Sequence, residues 1–156
     1  MLTASATGDT HICTEKNDLF NATTLNSLQD ADVLFDSTTT DSDILNAAVT
    51  TANVKARIQN IETINVTGEY INTGLVLTNV SGTKTLNLDT KIAGGTATVT
   101  DANSINAAAI KAGANISTLN VKSLSSGTRD TVTVDAGSAN LNLTGAPTGA
   151  DSYNAT

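Results

Sequence analysis

Ala97-Thr98-Val99, Leu119-Asn120-Val121 and Leu141-Asn142-Leu143 share one pattern, apolar-polar-apolar, and follow one another at a constant step of 22. Leu75-Val76-Leu77 begins one such step before the first of them. Side chains in a strand alternate between two faces, so the outer residues of each triplet share a face and the middle one points away. A second series runs half a period out of phase, with Ile64-Asn65-Val66 followed by Leu86-Asn87-Leu88. Its next position, around Ala108-Ala109-Ile110, is blurred, and Val132-Thr133-Val134 falls two residues late.

Short strands about every 11 residues suit a β-sandwich of hairpins or a β-solenoid with two strands per coil. Two-residue hairpin turns favour Asn-Gly or Asp-Gly, and neither dipeptide occurs here. A constant 22-residue step is what stacked coils require. The expected fold is therefore all-β, a parallel β-helix or β-solenoid of ~22-residue coils over residues 61–156, with a β-sandwich as the alternative.

Composition agrees. Thr occurs 28 times and Asn 17 times in 156 residues, whereas charged residues make up 15% and aromatics 3%. Thr is β-branched and favours strands, and Asn favours turns. A net charge of −7 with eight basic residues lacks the basic face that nucleic acid demands. One Cys cannot close an internal disulfide or build a Cys-type zinc site. No apolar run approaches the 18 or so residues of a membrane-spanning helix.

Residues 1–60 read as an irregular N-terminal segment. Leu25 to Leu28 suggests a short helical turn, Asp30 to Asp43 an acidic Thr/Ser-rich loop, and Leu45–Val49 and Val54–Ile58 strands. Ser104 to Lys111, rich in Ala, is the best helical alternative inside the repeats. The chain stops mid-pattern, as expected of an open-ended part of a longer protein. Asp18-Leu19-Phe20-Asn21-Ala22-Thr23 returns as Asp151-Ser152-Tyr153-Asn154-Ala155-Thr156, close to six such coils further along the chain.

Enzyme chemistry finds few parts. A nucleophile needs a base beside it, and the only His, His11, stands near Cys13 with no third group to orient it. Asp89 with Asp101, or Asp130 with Asp135, offers carboxylate pairs of the kind that cleave sugars, but the aromatic platforms of a sugar cleft are missing. Six Asn-x-Ser/Thr sequons follow from composition. Calcium is the ligand the residues favour. Asp30, Asp32, Asp36, Asp41 and Asp43 crowd five carboxylates into one short run, and calcium takes six to eight oxygens. The glycine-rich nonapeptide of calcium-binding β-rolls and the EF-hand pattern are both absent.

Asn17-Asp18-Leu19-Phe20-Asn21-Ala22, Asp32-Val33-Leu34-Phe35-Asp36-Ser37-Thr38-Thr39-Thr40-Asp41 and Asn60-Ile61-Glu62-Thr63-Ile64-Asn65-Val66 resemble bacterial surface-layer proteins of the Campylobacter surface-array and Caulobacter types. They also look like related β-strand-repeat surface proteins. The resemblance implies type I secretion, an extracellular place on the cell surface, self-association into a lattice, lipopolysaccharide contact through other regions of the parent protein, and calcium dependence. Cys13 departs from the pattern, since such proteins usually lack Cys. A non-enzymatic structural role follows, with the stalk of a large adhesin or autotransporter passenger as the alternative.

Overall fold

Residues 8–102, 109–122, 131–144 and 152–155 are described by a computed structural model. The early strands are β1 (Thr10–Ile12), β2 (Leu19–Ala22), β3 (Val33–Phe35), β4 (Ile44–Val49) and β5 (Arg57–Gln59). The middle strands are β6 (Thr63–Gly68), β7 (Asn72–Val76), β8 (Val80–Ser81), β9 (Thr85–Thr90) and β10 (Gly95–Thr100). The last are β11 (Ala109–Ala112), β12 (Ile116–Lys122), β13 (Thr131–Asp135), β14 (Asn140–Thr144) and β15 (Ser152–Ala155). No helix occurs among the described residues.

Every ladder between described strands is parallel, and each strand pairs with its counterpart one coil away. Hairpins of a sandwich would pair antiparallel, so the molecule is a β-solenoid. One sheet runs its whole length in the order β15-β13-β11-β9-β6-β4-β2. The opposite wall is split between β1-β3-β5-β8 and β14-β12-β10-β7. Coils carry two strands, except the one holding β7, β8 and β9. There the first short sheet ends as the second begins, and a turn closed by the Val80 N–H donating to the Leu77 carbonyl (2.9 Å) joins them.

The described part of the first sixty residues, from residue 8 on, belongs to the same solenoid. β1, β3 and β5 build one wall and β2 and β4 extend the long sheet, and β3 lies inside the span read as an acidic loop. Leu25 to Leu28 forms a turn, closed by the Ser27 N–H on the Thr24 carbonyl (3.0 Å). What is irregular here is the spacing: Phe20 pairs with Leu45, a step of 25, and Leu45 with Ile64, a step of only 19.

The triplets lie in the sheets as expected, with corrected registers. Ala97 pairs with Leu119 and Leu119 with Leu141, 22 apart each time. Ala97, however, pairs backwards with Thr73, and Val99 with Leu75, a step of 24. In the second series Leu86 pairs with Ile110 and Ile110 with Val134, again 24 each. The lag of that series is four residues at Val134 rather than two. Each extra pair of residues preserves the strand's parity, so faces are unchanged and a change of register by two does not show in the hydrophobic pattern. The helical alternative at Ser104 to Lys111 yields to strand β11 from Ala109, and residues 104–108 lie outside the described ones.

The repeated Asp-x-aromatic-Asn-Ala-Thr motif supplies the two edge strands of the long sheet, β2 and β15. Its copies miss a common column by two residues. The Phe20 column ends at Ala155, whereas Tyr153 pairs with Val132.

Inside, the core is a stack of like side chains. Leu45, Ile64, Leu86, Ile110 and Val134 form one inward column, each 0% exposed. Thr73, Leu75, Ala97, Val99, Leu119 and Val121 face them from the second wall, all buried. The opposite residues form amide ladders. Asn46 Nδ2 donates to Asn21 Oδ1 (3.2 Å), Asn65 Nδ2 to Asn46 Oδ1 (2.7 Å) and Asn87 Nδ2 to Asn65 Oδ1 (2.7 Å). Asn120 Nδ2 donates to Thr98 Oγ1 (3.4 Å), and Asn142 Nδ2 to Asn120 Oδ1 (3.0 Å). The first row passes on to Lys111 and Asp135. Thr133 stands one outward place aside, over Ala109.

Such a ladder contributes through its donors. Asn65→Ala, which removes both rungs at that position, is expected to cost about 1–2 kcal/mol at about 1 kcal/mol per hydrogen bond. Asn65→Asp at neutral pH keeps only the acceptor and loses the rung to Asn46. Urea unfolding of the two variants beside wild type checks this; unchanged midpoints for both would mean that the rungs contribute nothing net.

Candidate metal centre

The turns that lead into the two walls need acceptors, because each exposes backbone N–H groups that no strand pairs. Carboxylates supply them, coil upon coil. The column just before the long sheet holds Asp18, Asp43, Glu62 and Lys84. The Asp18 N–H donates to Asp43 Oδ1 (2.8 Å) and the Asp43 N–H to Glu62 Oε2 (2.9 Å). Lys84 Nζ lies 3.9 Å from Glu62 Oε1. Below them, Thr14 donates to Asp18 Oδ2 through its N–H (2.6 Å) and its hydroxyl (2.9 Å).

The five acidic residues singled out in the sequence divide by this test. Asp30 is exposed and accepts the Lys55 N–H (2.8 Å). Asp32 is buried, with Oδ1 taking the Asp9 N–H (2.8 Å) and Oδ2 the Gln29 N–H (2.7 Å). Both are occupied as turn caps. Asp36, Asp41 and Asp43 instead come together, each offering a carboxylate oxygen within 4.8 Å of the others. Asp36 and Asp43 are 0% exposed. Asp36 Oδ2 is held by the Thr38 N–H (2.6 Å) and hydroxyl (2.8 Å). Its Oδ1, Oδ2 of Asp43, and both oxygens of Asp41 are buried with no hydrogen-bond partner among the described residues.

Cys13 reaches this corner from the coil below, its N–H on the Phe35 carbonyl (2.8 Å). Cys13, Asp18 and Asp43 form a second group within 4.8 Å of one another. Sequence reading missed Cys13, Asp18 and Glu62 as neighbours of the acidic cluster. The signal was present only in their place immediately after or before a strand, which becomes a shared corner once the coils stack.

Electrostatics at this corner are unfavourable as it stands. Burial pushes the Asp43 carboxyl above the usual carboxylate range; the Asp18 N–H and the Cys13 thiol pull it back, and the charges of Asp41 and Asp36 raise it. A carboxyl raised in the folded state supports folding below its unfolded pKa and loses that support as pH rises through the folded value. The charge on Asp43 therefore weighs against the fold as pH rises through its raised value. Burial likewise pushes the Cys13 thiol up, with the Asp43 carboxylate and then the charges of Asp36 and Asp18 adding to the rise. It stays a protonated thiol at neutral pH, the opposite of an activated nucleophile. His11 packs edge-on against Phe20, ring centroids 6.1 Å apart, and its Nε2 is buried without a partner among the described residues.

Asp89 and Asp101 do not come together as a sugar-cleaving pair, since they stand on different walls. Asp89 and Asp135 both line a shallow outward groove of about 330 Å³, but Lys111 occupies the coil between them. Asp89 Oδ1 is engaged by the N–H groups of Thr90 (2.8 Å) and Asn115 (3.2 Å). Asp101, at φ 57°, accepts the Thr78 hydroxyl in a turn of the other wall. Asp130 lies outside the described residues. No family model, curated protein or solved structure matches the chain. The corner must therefore be read from its own geometry. Two ligands on one calcium ion, at about 2.4 Å each, are at most about 4.8 Å apart, and the three carboxylates meet that limit.

Proposed function

We propose that this chain is a non-enzymatic structural segment of a secreted bacterial surface layer, one that self-assembles into a protective lattice outside the cell. The observation that supports it most is the outward face of the solenoid, where Asn and Thr side chains repeat coil upon coil. Such faces of low charge pack side by side without strong repulsion, and the exposed side chains of Ile12, Leu19 and Leu143 add apolar contact area. No helix among the described residues is long and apolar enough to cross a membrane. Attachment to lipopolysaccharide and the type I secretion signal belong, in this reading, to other regions of the parent protein.

Sedimentation velocity over a hundred-fold range of concentration, with electron microscopy of the concentrated sample, tests the proposal. Concentration-dependent assemblies are expected, weakened by Leu19→Lys on the edge strand. A clean monomer throughout would sink it.

A further inference from the structure

The corner between β3 and β4 holds more acceptor than the protein uses. Of its carboxylate oxygens, Asp36 Oδ1, Asp43 Oδ2 and both of Asp41 are buried and unpartnered among the described residues, on side chains of which Asp36 and Asp43 are wholly shielded from water. An isolated acidic cluster at a surface relaxes by turning its oxygens to solvent. Here Asp36 is held by Thr38 and Asp43 by the Asp18 N–H, so their free oxygens cannot turn away. The three residues nonetheless converge within 4.8 Å. Buried acceptors that converge and lack a matching set of donors call for a cation.

We propose that Asp36, Asp41 and Asp43 bind one hard divalent cation of the calcium type, which staples the β3 coil to the turn entering β4. Up to four carboxylate oxygens come from these residues, and water or turn carbonyls complete the shell of six to eight that calcium takes. Asp30 and Asp32, though part of the same acidic run, are caps and not ligands. The thiol of Cys13 faces Asp43 from the coil below, but it is a softer donor than this oxygen-rich corner otherwise presents. No glycine-rich repeat is involved, and the proposal stands or falls separately from the lattice reading.

Asp41 is the decisive residue, because neither of its oxygens is bound by a described residue. The test is thermal melting and calorimetric titration of the whole chain after chelation, with calcium chloride, magnesium chloride and zinc chloride, at constant ionic strength. At calcium a hundred-fold above its dissociation constant, the melting temperature is expected to rise by about 5–10 °C, with a stoichiometry near one for the tight site. Asp41→Asn should abolish that rise and leave the chelated protein at least as stable as wild type, since it removes repulsion and no hydrogen bond. Asp30→Asn should keep the full calcium response. Three results would overturn the proposal: no calcium-specific shift in the wild type, an undiminished shift in Asp41→Asn, or a zinc response that Cys13→Ser removes while calcium does nothing.

Discussion

Leu86→Ala is expected to destabilise the protein by about 3 kcal/mol, within the range of about 2–5 kcal/mol for such truncations in cores. For a chain of this size that corresponds to a fall in melting temperature of roughly 6–12 °C. Leu86 sits at the centre of the long sheet, 0% exposed, with Ile64 on one side of its column and Ile110 on the other. Parallel strands about 4.8 Å apart bring successive side chains of a column into direct contact. Deleting one therefore leaves a gap that neither neighbour can fill without leaving its own register. The contrast is Leu143→Ala, at an edge strand and 42% exposed, where the loss should be under about 1 kcal/mol. Chemical denaturation of both variants measures it. Equal small losses at the two positions would mean that the column is loosely packed and that the ladders carry the stability.

Gly74→Ala is expected to be as damaging, for a backbone reason. Gly74 lies in β7 with φ 143°, a conformation that L-residues rarely adopt. A Cβ there would stand 1.8 Å from the Thr98 carbonyl oxygen and 3.1 Å from the Ala52 Cβ. The first clash is with backbone of β10, the partner strand, so no rotamer relieves it. Strain of this kind costs about 1–3 kcal/mol before any ladder bond is lost, and separation of β7 from β10 adds to that. β7 is also where the second wall starts, so hydrogen exchange should quicken first in β7 and the adjoining β10. Exchange as slow as wild type in those strands, with an unchanged melting temperature, would refute the argument. Gly94, with nothing near its absent Cβ despite φ 85°, should be far less sensitive.

Much of the fold can be read in single triplets. Leu119-Asn120-Val121 over Leu141-Asn142-Leu143 shows both the strand and the step of 22, and both recur in the structure. Asn65 and Asn87, placed by alternation on the outward face, are rungs of one ladder. What escapes such reading is any change that preserves alternation. The steps of 24 at Thr73–Ala97 and Leu86–Ile110 keep every apolar residue inward, so the pattern looks the same with two residues more or fewer. The early strands are legible singly, as at Leu45–Val49, but their places in the column are not. Steps of 25 and 19 lie on either side of the period and together make two periods, so neither falls on a spacing of 22.

The acidic run divides along the same line. Five carboxylates crowded between Asp30 and Asp43 are plain in the chain, and so is the chemistry of oxygen donors. Which of them converge depends on where β3 and β4 place the turn between them, and on which N–H groups of the adjoining coils reach each carboxylate. Asp32 is taken by Asp9 from the coil below and by Gln29 from its own turn. Asp41, just ahead of β4, meets no donor among the described residues.

By itself, then, the amino-acid order determined the strand, its two faces and the approximate length of a coil, because alternation and spacing are local properties of an extended chain. Only the tertiary structure decided the exact register, the split of one wall into two sheets and the meeting of Asp36, Asp41 and Asp43. Those depend on contacts between residues a coil apart, and a shift of two residues, invisible to alternation, is enough to change them.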